Sequence, residues 1–126
     1  MASETLHEDP EKLGDEVIDV HRAIVSVMEE LEAVDWYNQR AKATSNPELR
    51  AILEHNRDEE KEHAAMVLEW LRRTDPAIEQ HFKTYLFTDS PITEIEVEAE
   101  HGGGYKASSP TNGGDLGIGS LRGTSR

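Results

Sequence analysis

The chain has 126 residues, room for one small domain, and sets 26 acidic side chains against 13 basic ones, for a formal charge of −13. That balance argues against nucleic acid and anionic membrane surfaces as partners, and it fits a protein that attracts cations. Cysteine is absent, which excludes disulfides, thiolate metal sites and thiol chemistry, so any metal must be held by oxygen and nitrogen.

Residues 1–10 lack a basic region followed by an apolar run, so no secretory signal is expected there and they read as a flexible N-terminus. No stretch of the chain approaches the ~20 apolar residues needed to cross a bilayer. The expectation is a soluble, cytoplasmic protein with no membrane partner. From residue 11 the sequence reads as helix, with proline as punctuation. Asp9-Pro10-Glu11 and Asn46-Pro47-Glu48 each place a capping side chain before a proline suited to the first helical position, then an acid in the first turn. Asp75-Pro76 and Ser90-Pro91 repeat the cap and the proline. The first helix is predicted over 11–43, with a heptad-like apolar seam of Val17, Val20, Ile24, Val27, Leu31 and Val34. The second is predicted over 47–73, with Leu49, Ile52, Leu53, Val67, Trp70 and Leu71 as its stripe and Arg72-Arg73 as a basic close; Met66 and Trp70 read as core. A turn of about three residues makes the pair an antiparallel hairpin. Shorter helices are predicted near 76–86 and 91–100.

Two helices give a thin core, so a partner is expected to complete a four-helix arrangement. The predicted fold is therefore all-α: a two-helix hairpin, half of a bundle completed by dimerisation, with short C-terminal helices and a flexible tail. The helical domain spans 11–100. Eight of the nine glycines lie at or after Gly102, and a segment of Gly, Ser, Thr and Asn cannot bury enough surface to offset its ordering entropy. Residues 101–114 thus read as a linker. The sparse apolar residues beyond it are Leu116, Ile118 and Leu121; the first two alternate, as in a strand laid into a groove.

Both long helices have defects in their apolar pattern. Between Ile52 and Val67 the stripe positions are Asn56, Glu60 and His63, and Glu60 and His63, three apart, share a face. On the first helix Glu30 falls on the core side between Val27 and Val34. A carboxylate removed from water is costly unless it is paired or binds a metal. With the turn centred on residue 45, Glu30 and Glu60 are equidistant from it and should meet at mid-hairpin, with His63 beside them. Carboxylates with imidazole suit iron(II) or manganese, and zinc remains possible. A two-fold dimer would double the set to four carboxylates and two histidines, the complement of ferritin-like di-iron bundles. The plainer reading of Glu60 and His63 is a surface glutamate and a core histidine sharing a hydrogen bond. Glu29 and Glu32 read as a solvated acidic face, and Trp36 and Tyr37 as either packing or chemistry. A metal-binding module without turnover, or a structural helical protein, are the alternatives to an enzyme.

Three segments together resemble the encapsulated ferritins. Met28 to Tyr37 (MEELEAVDWY) is similar to their first-helix signature, and Asn56 to His63 (NRDEEKEH) to their second. Leu116 to Arg122 (LGIGSLR), within 115–123, resembles the peptide by which cargo binds encapsulin shells. The resemblance implies hairpins that dimerise and join into a larger ring. It implies an iron(II)-oxidising di-iron centre, with Glu30, Glu60 and His63 from each of two chains and Glu60 as the bridge. Glu29 and Glu32 would attract iron or other divalent cations on entry, with Trp36 beside them and Tyr37 near the centre. Storage would fall to an encapsulin nanocompartment, reached through Leu116, Ile118 and Leu121.

Overall fold

The computed structural model describes residues 5–101. Four helices follow in order: α1 (Pro10–Ala43), α2 (Pro47–Thr74), α3 (Pro76–Tyr85) and α4 (Ile92–His101). The chain divides into two compact units after Asp75. Among the described residues there is no strand, and no helix is long and apolar enough to cross a membrane.

The caps form as the punctuation requires. The Asp9 carboxylate accepts from the Glu11 amide at 3.0 Å, and the Asn46 side chain accepts from the Leu49 amide at 2.9 Å. Each satisfies a donor that has no partner within its helix. Helix α2 closes on Arg72 and Arg73. Helix ends match the predicted ones to within a residue.

Three side chains of α2 establish the hairpin and its direction. Arg50 donates to the carbonyl oxygen of Ala41 at 3.0 Å and to that of Thr44. Arg57 Nη1 donates to Asn38 Oδ1 at 3.1 Å. His63 lies opposite Glu30. As the α2 partner advances, the α1 partner recedes, so the helices run antiparallel. The Arg50 contacts also satisfy carbonyls at the C-terminal end of α1, where intrahelical donors run out.

One element differs from expectation. Gly14 interrupts α1 with φ 82° and ψ 163°, a region that is essentially glycine's alone. A Cβ there would meet nothing within 4 Å, so the position needs glycine for its backbone angle and not for space. The continuous helical rod therefore begins after Gly14.

The hairpin's interior is small. Ala41, Ala64 and Leu71 are its buried hydrophobics among the described residues. The seam residues divide by position: Val20, Val27 and Val34 are half-buried, whereas Val17, Ile24 and Leu31 are left about half exposed. Met66 and Trp70, read above as core, are exposed in the single chain. They extend the stripe of α2, but α1 is too narrow to cover all of it. In the second unit α3 and α4 bury no residue. Phe87, two residues past α3, is almost fully exposed and takes a positive φ of 63°.

Candidate metal centre

Midway along the hairpin the two defects in the apolar pattern meet. Helix α1 supplies Glu30, and α2 supplies Glu60 and His63 from one face, three residues apart. His63 Nδ1 lies 3.2 Å from Glu60 Oε1 and 3.7 Å from Glu30 Oε1. One ligand atom from each of the three falls within 4.8 Å of the others, and all three residues are half-buried. Two oxygens and one nitrogen at that spacing can close on a single cation, and the donor chemistry favours iron(II) or manganese(II) over softer metals.

The protonation of the cluster follows from its crowding. Glu30 is raised above the ordinary carboxylate range, chiefly by its hydrogen bond to Glu60, then by desolvation and the charge of Glu60. Glu60 is lowered, first by the same hydrogen bond and then by His63. The two carboxylates compete for a proton, and Glu30 keeps it to higher pH than Glu60 does. His63 is raised, first by its hydrogen bond to Glu60 and then by the negative charges around it. A cation bound here takes the place of those protons.

The other sequence-predicted residues fall elsewhere. Glu29 and Glu32 are exposed and lie outside the three-residue cluster; Glu29 reaches it only as a weak field on Glu30. Trp36 is exposed and Tyr37 half-buried, and both rings lie under the guanidinium of Arg40. Leu116, Ile118 and Leu121 lie outside the described residues. Sequence reading missed the tie made by Arg57, which joins α2 to Asn38 of α1 one turn from Glu60, while pairing with Asp58 at 3.0 Å. It also missed Arg40, whose place four after Trp36 and three after Tyr37 is a legible helical pairing.

With this geometry in hand, the relatives are informative. The family model described as EncFtn-like matches residues 5–89. An encapsulated ferritin-like protein of Rhodospirillum rubrum is 58% identical over 128 residues, covering 98% of this chain and 91% of that one. A Myxococcus xanthus protein named encapsulin nanocompartment cargo protein EncC is 34% identical over 120 residues, covering 90% and 91%. Among solved structures, protein ne0167 from Nitrosomonas europaea superposes with a TM-score of 0.67 at 62% identity, over 69% of this chain and 96% of its own. The hairpin, its Glu-Glu-His cluster and these matches make the chain a member of the EncFtn-like family, the encapsulated ferritin-like proteins.

Proposed function

We propose that this protein is a ferroxidase, oxidising iron(II) with dioxygen at a di-iron centre shared by two copies of the chain. The observation that carries this reading is the convergence of Glu30, Glu60 and His63 on one face of a hairpin whose seam is unfinished. One copy offers two carboxylates and one imidazole, which is few ligands for a pair of metal ions. A second copy related by two-fold symmetry supplies the same set again, and the total is that of ferritin-like di-iron bundles. Leu31, next to Glu30 in the chain, is half exposed, as are Ile24 and Val17 along the same line. Apolar surface in that position is what a second hairpin would cover.

The substrate is iron(II), held by Glu30, Glu60 and His63 of each chain, with Glu60 as the bridging carboxylate. Two iron(II) ions give up one electron each. Dioxygen accepts the pair with two protons and leaves as hydrogen peroxide, with two iron(III) as the other product. Carboxylates favour the more highly charged iron(III), which helps the electrons leave. The exposed Glu29 and Glu32, with Trp36 nearby, form an acidic approach that draws iron or another divalent cation toward the centre.

The named role of the Myxococcus relative supports a second part of the proposal: the chain is cargo of an encapsulin shell and works inside that nanocompartment in the cytoplasm. In this reading 101–114 is the linker and 115–123 the targeting peptide, with Leu116, Ile118 and Leu121 as its anchors. Dimers gather into a larger ring and the shell stores the mineral.

The experiment adds iron(II) in air to the full chain, to a Glu30→Ala/Glu60→Ala/His63→Ala variant and to buffer, while following ferric absorbance. Fast oxidation by the parent protein alone is expected. Equal slow oxidation in all three samples, with the parent oligomeric by native mass, would overturn the enzyme and leave a metal-binding or structural cargo protein.

A further inference from the structure

Trp36 and Tyr37 lie six and seven residues past Glu30 on the regular part of α1. At about 1.5 Å per residue this puts them roughly 10 Å along the axis from that carboxylate, and seven residues return Tyr37 to the same face. The Arg40 guanidinium carbon lies over both rings, 5.8 Å from the centroid of Trp36 and 5.6 Å from that of Tyr37. Its neighbours at helical spacing are Trp36, Tyr37, Ala43 and Thr44, so no carboxylate at those positions neutralises it. A ring face attracts a cation. The same field opposes taking an electron from the ring, because a ring radical cation beside a guanidinium is a pair of like charges.

We propose that Arg40 holds Trp36 and Tyr37 in their reduced state, so that oxygen and peroxide draw their electrons from iron and not from the protein. The inference rests on the ferroxidase reading above. The reaction it suppresses is specific. Hydrogen peroxide needs two electrons and two protons to become two waters. One electron from iron(II) and one from an aromatic ring would complete that balance, leaving iron(III) and a ring radical cation that loses a proton to water. Trp36 is the more vulnerable ring, since with Gln39 and Arg40 it borders a notch open to solvent. Trp70 supplies an internal reference: it is 42% exposed against 48% for Trp36, and among the described residues no cation lies over it.

The test uses the full chain without metal. Photoexcited riboflavin serves as a neutral one-electron oxidant, and peptide mass spectrometry reads oxidised Trp36 against oxidised Trp70. Arg40→Met keeps the side chain's bulk and removes its charge. The Trp36-to-Trp70 ratio should rise about threefold in that variant, the effect of a unit charge at this separation across a water-like dielectric. Arg40→Lys should bring it back toward the parent value. Hydroxyl radicals react with any ring they can reach, and should give one ratio in all three proteins. An unchanged riboflavin ratio in Arg40→Met, or an equal rise under hydroxyl radicals, would overturn the proposal. Iron enters in a separate arm: during turnover in air, Arg40→Met should accumulate more oxidised Trp36 per iron oxidised, at the parent rate of iron oxidation. Equal yields in two active proteins count against the proposal. If neither protein outpaces buffer, the ferroxidase reading falls, and the riboflavin ratio still decides what Arg40 does.

Discussion

At the scale of residues, the cluster's protons set the terms on which a metal binds. Carboxylates and imidazole bind a cation only after losing their protons. Glu30 and His63 are both raised, so each keeps its proton to higher pH than an isolated side chain would. The sign follows: affinity should be weak at acid pH and climb as pH rises through the raised His63 value. The climb is about tenfold per pH unit for each proton displaced. Manganese(II), which is not oxidised under these conditions, is a suitable probe, and calorimetry in buffers of different ionisation heat counts the protons released. An affinity flat between pH 6 and 8 would remove His63 as a ligand. A second expectation isolates the pair on α2. In the metal-free protein, Glu60→Gln removes the negative acceptor beside His63 Nδ1, so the imidazole should titrate at lower pH than in the parent, nearer its ordinary value. An NMR titration of His63 checks this, and an unmoved titration would mean that Glu60 does not hold the imidazole's proton.

At the scale of elements, the turn and the end of α2 make the sharpest test of the hairpin. Arg50 is part-buried and donates to the carbonyls of Ala41 and Thr44, closing α1 from the neighbouring helix. Arg50→Met leaves those carbonyls without their charged donor and should cost about 1.5–3 kcal/mol, read by chemical denaturation. At the far end of α2, Arg72 and Arg73 beside Glu69 hold its carboxyl at about 2. A depressed pKa stabilises the fold above the ordinary carboxylate range, and the contribution is lost as pH falls toward 2. Glu69→Gln should therefore be slightly less stable near neutrality and indistinguishable from the parent near pH 2; the effect is small because solvent screens the cluster. The caps of Asp9 and Asn46 were legible in the sequence because their partners lie two and three residues away. The meeting of Glu30, Glu60 and His63 was legible because a short turn makes register a matter of counting. The Arg50 and Arg57 ties were not, since they join residues brought together only by packing. Gly14 escaped notice because its neighbours suit a helix and only its φ shows the break. Met66 and Trp70 were misread as core because periodicity tells which residues share a face, not what covers it.

At the scale of the whole molecule, the hairpin is short of interior. Ala41, Ala64 and Leu71 are buried, and Val17, Ile24 and Leu31 are left about half exposed along a line of α1 that reaches the cluster at Leu31. If a second copy covers that line, assembly and chemistry are one event, and each should depend on protein concentration. Leu31→Asp separates this from a site complete within one chain. Its side chain is 52% exposed in the single hairpin, so the substitution creates no large internal cavity. At a copy-to-copy seam, however, it sets two new carboxylates near each other and next to both Glu30 side chains, a burial that like charges oppose. Native mass should shift from the parent oligomer toward the single chain, with helical content by circular dichroism largely kept at high protein concentration. Iron oxidation should fall to the buffer rate although Glu30, Glu60 and His63 are all present. The parent protein, diluted, should lose activity per chain along the same curve as it loses mass. A Leu31→Asp protein that is monomeric and still oxidises iron at the parent rate would place the whole centre within one hairpin, and the shared di-iron site would have to be abandoned.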